Sequence, residues 1–223
     1  MEIEKLGKIA KLTKNFVEEV YFNNWGKYPT SHDYLHILRV LRISNYIAEN
    51  EKLSFEEKFL LEIACLLHDI AIPLKSSKEN HAIESSKIAF KFLSKLELDE
   101  KYIDLICSAI AEHSWSKQSK SSSKISAILQ DADRIDALGT IGFARMIIYG
   151  EYMKRKLHHP NEIIPRNREI NDNEYTLDHV YTKLIKIPEK MNTKIGRKIA
   201  EIRIKKLISL IEEFEREFWI KDL

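Results

Sequence analysis

Ile63-Ala64-Cys65-Leu66-Leu67-His68-Asp69 decides how this chain is read: five apolar residues in a row lead directly into an imidazole and a carboxylate. The run lies in a segment of helical periodicity, so these two polar groups close a helix that otherwise looks buried. Burying polar groups without partners costs roughly 2–7 kcal/mol each, and more for a charge. A divalent metal that takes the imidazole nitrogen and the carboxylate oxygen as ligands removes that cost. His36 stands upstream and Asp133 downstream, each in a helical stretch of its own. Two imidazoles and two carboxylates from three helices suit Mn, Co, Ni, Fe or Zn, with Mg a less natural occupant.

Helical spacing continues on both sides of this run. Ile3, Leu6, Ile9, Phe16, Val17, Val20 and Tyr21 recur at helical intervals, and Trp25-Gly26 and Pro29 then break the chain. A second helix beginning near Ser31 is expected to turn Leu35, Leu38, Leu41 and Ile47 inward, with His32, His36 and Arg39 on one face. Ser54 followed by Glu57 is a capping-box signature for a third helix, which runs to His68-Asp69 and is expected to end at Pro73. Further helices are read over about 80–96, 99–113 with Asp99 as N-cap, 125–139, 141–156, 175–187 and 194–218. The polar segment 114–124 has no periodicity and reads as a mobile connection. Its alternative is a lid, with Lys117, Lys120 and Lys124 meeting a polyphosphate and Trp115 stacking on a base. Residues 158–173, with Pro160 and Pro165, form the longest irregular stretch. There is no strand-period run and no internal repeat.

The fold class is therefore all-α. At 223 residues the chain is expected to form a single domain over 1–223, with a metal-binding core at about 25–140 and C-terminal helices plus an irregular excursion at 141–223. A hydrophobic content of 44% with 31% charged residues is the balance of a globular protein, and no apolar stretch approaches membrane-span length. The N-terminal residues alternate charge and apolarity without the apolar block of a secretory signal, so a cytoplasmic location is expected. Thirty-six Lys and Arg against thirty-four Asp and Glu give a net charge of +2, which carries no global nucleic-acid or membrane signal. Cys65 and Cys107 sit on apolar helical patterns with no CxxC spacing, and read as small packed residues.

The ordered set His36, His68-Asp69, Asp133 resembles the HD superfamily of metal-dependent phosphohydrolases. The likeness extends to the blocks around these residues: His32 to Val40, Ala64 to Asp69, Glu112-His113-Ser114, and Gln130-Asp131-Ala132-Asp133-Arg134-Ile135-Asp136-Ala137-Leu138-Gly139 are similar to a subgroup of stand-alone bacterial and archaeal HD hydrolases. So are Lys183-Leu184, Met191-Asn192-Thr193 and Ile199 to Arg203. The resemblance implies an HD-domain helical bundle with additional C-terminal helices, in which His36, His68, Asp69 and Asp133 bind a divalent cation that activates water. The implied substrate is a small phosphorylated metabolite, a nucleotide by preference.

In HD proteins with two metals, two further histidines lie between the HD pair and the final Asp, and this chain has His81 and His113 in that interval. Their expected roles are a second metal site, a general acid for the leaving oxygen, or phosphate binding while protonated, set against a structural role. Glu112 is a candidate to assist the attacking water. Asp136, one helical turn from Asp133, is a candidate to hold a ligand in place, against a plain pairing with Lys or Arg. Arg39 and Lys75 are candidates for offsetting phosphoryl charge; the bland alternatives are a surface charge and a solvated turn. His158 and His159 read as loop residues and His179 as structural. The alternative functions are a di-iron oxygenase of HD fold and a non-catalytic nucleotide sensor. The C-terminal helix, with Ile204, Leu207, Leu210, Ile211, Phe214 and Phe218, is expected to pack on the core, a homo-oligomer seam being its second use.

Overall fold

Apolar residues spaced three and four apart build nearly all the regular structure, and a computed structural model describes residues 3–75, 80–115 and 119–223. Among the described residues there is no strand; one isolated parallel bridge joins Lys156 and Tyr175. None of the described helices is long and apolar enough to cross a membrane.

The chain packs as two compact units. The first comprises residues 1–28 and 32–133. It contains α1 (Ile3–Asn23), α2 (Tyr34–Asn50), α3 (Phe55–Leu67), α4 (Ala71–Lys75), α5 (His81–Leu93) and α6 (Glu100–Glu112). It also holds most of α7 (Lys124–Asp136). At its centre is α3, which packs against α1, α2 and α6. The capping box read from the sequence starts α3: the Ser54 hydroxyl accepts from the Glu57 amide, and the Glu57 carboxylate accepts from the Ser54 amide. Phe59, Leu60, Leu61 and everything from Ile63 to Leu67 are buried, so the helix is apolar nearly all round and lies within the unit.

Two readings differ from the structure here. Pro73 lies inside α4, after a turn at residues 68–70, because a proline in the first turn of a helix loses no hydrogen bond that the helix would have made. On α2 the inward face is His36, Ile37, Val40, Ser44, Ile47 and Ala48, whereas Leu35 is 58% exposed. The face is rotated because His36 points into the interior.

The second unit comprises residues 29–31 and 134–223. It contains α8 (Gly139–Tyr152), α9 (His179–Thr182) and α10 (Lys194–Phe218), with α8 packed along α10. Ile204, Leu207 and Ile211 of α10 are buried, whereas Phe218 is exposed. The helix expected over 175–187 is broken into α9 and a 3-10 turn at Leu184–Lys186, followed by a second 3-10 turn at Pro188–Lys190. The irregular excursion is held by Asp178, which is fully buried and takes both guanidinium nitrogens of Arg168 at 2.6 Å and the Asn171 amide at 2.8 Å. His158 stacks edge-on between Phe214 and Phe218, and His179 donates to Asp172 at 2.8 Å.

A Cβ on Gly150 would run into the buried Thr176 side chain. Gly150→Ala is therefore expected to lower unfolding stability by about 1–3 kcal/mol through overpacking, despite its better helix propensity, as read by denaturant titration.

Candidate metal centre

Each polar side chain of the site comes from the end or the inward face of a helix in the first unit. Asp33 caps α2, its carboxylate accepting from the His36 amide at 3.0 Å, and His36 follows in the first turn with no exposed surface. The last residues of α3 lead to His68 and those of α6 to His113, and both histidines occupy the C-cap. At these caps the ring turns back on its own helix: Nδ1 of His68 lies 2.8 Å from the Cys65 carbonyl, and Nδ1 of His113 lies 2.7 Å from that of Ile110. A carbonyl only accepts, so Nδ1 holds the proton in both rings and Nε2 presents a lone pair to the interior. His81 opens α5 after Asn80, which adopts the left-handed conformation that asparagine tolerates.

The Nε2 atoms of four histidines converge on Asp69. Its Oδ2 lies 3.6 Å from Nε2 of His36 and 3.7 Å from Nε2 of His68. Its Oδ1 lies 3.5 Å from Nε2 of His81 and 3.4 Å from Nε2 of His113. Two groups of potential metal ligands result, His36, His68 and Asp69, and then Asp69, His81 and His113. The Asp69 carboxylate is common to both. Asp133, on α7, brings Oδ1 to 3.5 Å from Nε2 of His36 with its side chain still 25% exposed.

The electrostatics favour a neutral His68 beside charged carboxylates. Burial holds His68 down at about 4, so its ring is neutral in ordinary buffer. Burial alone would raise Asp69, but His68, the close approach of His113 and His36, and the charge of His81 outweigh it and keep the carboxyl well below its usual range. Asp133 is lowered in the same way, desolvation being overcome by His36, His68 and His113. His113 moves upward: desolvation pulls it down, but Asp69 and Asp133 more than compensate.

These donors fit a divalent cation. Asp69 Oδ1 is buried and has no hydrogen-bond partner, and the facing nitrogens approach one another closely, His36 to His68 at 3.3 Å and His81 to His113 at 3.2 Å. Imidazole nitrogens and a carboxylate gathered at these distances are a cation's ligand set.

The remaining candidates stand elsewhere. Glu112 is outside both ligand groups; its carboxylate accepts from the Ser126 hydroxyl at 2.5 Å and the Ser122 amide at 2.9 Å, tying the end of α6 to the start of α7. The Gln130 amide donates to the Ser119 carbonyl, so the described end of the polar segment is hydrogen-bonded to α7, while Lys117 lies outside the described residues. Lys75 pairs with Glu84, which also takes Lys87. Residues 76–78, read above as a solvated turn, lie outside the described residues. Arg39 is half-buried on α2, one turn beyond His36. Asp136, in the second unit, is fully buried and pairs with Arg145 at 2.9 Å. Both cysteines are free, and burial pushes Cys65 up to about 12 and Cys107 to about 11, which disfavours a thiolate nucleophile. The sequence reading missed the partners that orient these ligands, namely the Cys65 and Ile110 carbonyls, the Asp33 cap and Tyr21, whose hydroxyl donates to the Asp69 carbonyl at 3.3 Å. The parallel placement of His68 and His113 at the ends of apolar helices was the available signal for the first two; Tyr21 carried none.

The profile of the HD domain family matches residues 33–138, a range that includes both ligand groups. An HD-superfamily hydrolase from Bacillus thuringiensis is 30% identical, with 96% of this chain and 98% of that one covered and a TM-score of 0.70. Bacillus subtilis YpgQ, an uncharacterised protein, is 26% identical over 192 residues, 84% of this chain and 85% of its own length. The crystal structure of YpgQ in complex with ADP superposes with a TM-score of 0.73 at 25% identity, covering 96% of both chains.

Two outcomes follow from the shared carboxylate and the buried ring. Asp69→Ala is expected to abolish metal binding at both groups, and His81→Ala to leave the His36 group binding, as measured by titrating metal-free protein with Mn. In metal-free protein, the unfolded His68 takes up a proton near pH 6.5 while the folded one waits until about 4, so its neutral state stabilises the fold above that window and the benefit is lost as pH falls through it. The stability deficit of His68→Gln, read by denaturant melts, should therefore shrink between pH 7 and 4 by up to about 3 kcal/mol.

Proposed function

The chain belongs to the HD superfamily, and from that premise we propose that it is a metal-dependent phosphohydrolase cleaving a phosphate ester or anhydride of a small metabolite, a nucleotide by preference. The observation that carries the proposal is the Asp69 carboxylate, buried without a hydrogen-bond donor on Oδ1 and faced by four imidazoles. His36, His68, Asp69 and Asp133 would hold the cation, which supplies a hydroxide nucleophile near neutral pH and polarises the phosphoryl oxygen it contacts.

The protein's own part is to orient and to move protons. His68 and His113 have their tautomers fixed by backbone carbonyls, which keeps Nε2 free of a proton and aimed inward. His81, with 16% of its side chain exposed, is the most open histidine of its ligand group, and suits proton delivery to a leaving oxygen or contact with a substrate phosphate. His113, moved upward by Asp69, would bind phosphate only with a second proton on Nε2, a state that excludes its use as a ligand. Asp133, partly exposed, borders the accessible side of the first group. Arg39, one turn beyond His36 on α2, is the stronger candidate for offsetting phosphoryl charge, and Lys75 pairs with Glu84. The nucleotide preference is supported by the ADP complex of YpgQ.

A second reading is favoured by one observation. His81 and His113 meet Asp69 as a complete second ligand group, which is what a di-iron oxygenase of this fold requires. Two irons per chain and oxygen consumption on a reduced substrate would move the assignment there.

The deciding assay is hydrolysis of a panel of nucleotides and generic phosphate esters with Mn, Co, Ni and Mg, scoring phosphate against pyrophosphate. Turnover that disappears with chelator and in Asp69→Ala, with helical circular dichroism retained, is the expected result. No turnover on any panel member with metal bound would refute the hydrolase.

A further inference from the structure

We propose that Tyr21 is a positioning residue of the metal centre: its hydroxyl holds the Asp69 main chain so that one carboxylate reaches both ligand groups. The proposal rests on reading the His/Asp cluster as a metal site. It brings α1, which lies outside the matched segment 33–138, into the function of that site.

Asp69 sits in the turn between α3 and α4, where no continuous helix dictates its peptide orientation. Four hydrogen bonds set that orientation instead. The Ile70 amide donates back to the Leu67 carbonyl at 3.2 Å, and the Asp69 carbonyl accepts from the Ile72 amide at 2.9 Å. The Ala71 amide donates to the hydroxyl of Ser85, a fully buried residue of α5, at 3.1 Å. From the opposite helix, the Tyr21 hydroxyl donates to the Asp69 carbonyl at 3.3 Å. The turn is thus fastened to α5 on one side and to α1 on the other.

Tyr21 is itself held in place. It is 1% exposed, its carbonyl accepts from the Tyr28 hydroxyl at 3.0 Å, and the two rings meet edge to face at 5.4 Å. Both α3 and α4 pack against α1, so the hydroxyl projects from a helix already fixed on both sides of the turn. A carboxylate serving two groups tolerates little rotation: its two oxygens must stay within reach of nitrogens on four rings carried by α2, α5 and the ends of α3 and α6. Supporting hydrogen bonds of this kind typically change metal affinity by about 10–100-fold when removed. Tyr21 acts on the ligand through its main chain, one step further away than a bond to the carboxylate, so the low end of that range applies.

The test compares Tyr21→Phe with Thr13→Val. Each keeps the shape of the side chain and loses one buried hydroxyl of α1; the first releases the Asp69 carbonyl, the second only the Ile9 carbonyl within α1. Metal-free proteins are titrated with Mn by calorimetry, and their metal-free melting temperatures are recorded alongside. The expected result is about tenfold weaker Mn binding for Tyr21→Phe, with Thr13→Val binding as the parent does even though both melt somewhat lower. Unchanged Mn affinity in Tyr21→Phe, or equal weakening in both variants, overturns the proposal. A parent protein that binds no Mn overturns it together with the metal reading. A parent that binds Mn but hydrolyses nothing, with Tyr21→Phe weakened alone, supports the tether and removes the phosphohydrolase.

Discussion

Asp69 keeps its negative charge while only 2% exposed, and the first unit is arranged around that constraint. A lone buried carboxylate would take up a proton; this one is surrounded by imidazoles that favour its ionised form. Those imidazoles arrive from α2, α5 and the ends of α3 and α6, so stabilising one charge requires the helices to be in place together. Site and fold are therefore coupled through electrostatics as well as through the apolar packing of α3. The same coupling makes the centre ready for a cation, since its charge and lone pairs are already gathered.

Helix ends contribute a second layer. The C-termini of α3 and α6 both finish on a histidine of the candidate site, and the rings of His68 and His113 donate to carbonyls of those last turns, Cys65 and Ile110. One arrangement fixes a tautomer and aims a lone pair. It also brings the negative ends of two helix dipoles to the place where a cation would sit. The short turn after α3 serves the same end, letting Asp69 follow His68 directly while pointing its oxygens at rings from other helices.

The legible part of this protein was the part written in periodicity and caps. The buried run ending in His68-Asp69, the Ser54 and Glu57 box, the Asp99 cap and the span of α10 all stand in the structure as read. The misreadings came where tertiary context overrides local pattern. Pro73 looked like a stop and stands in the first turn of α4; Leu35 looked like core and is exposed because His36 takes the inward position; the 175–187 segment is periodic enough for a helix but is bent into short turns around Asp178. Of the site, order along the chain pointed to His36, His68, Asp69 and Asp133 and left His81 and His113 open between a second metal, an acid, phosphate binding and a structural role, whereas the orienting carbonyls and Tyr21 could not be read. Hydrogen bonds to main-chain acceptors leave no residue-type signature at the accepting position.

His81 is where the two enzymatic readings diverge, and its geometry shows why. Because His113 gives its Nδ1 proton to Ile110, its Nε2 is an acceptor, and His81 faces it at 3.2 Å. Without a second cation, that distance is accounted for if His81 carries the proton on Nε2 and donates it across, which places a mobile proton beside Asp69 and on the more exposed ring. A second cation would take a lone pair from each nitrogen and leave no room for that proton. Acid catalysis and dinuclear ligation would thus exclude one another at this pair of rings. The choice between them rests on how strongly the shared Asp69 carboxylate, already committed to the His36 and His68 side, can serve a second positive charge.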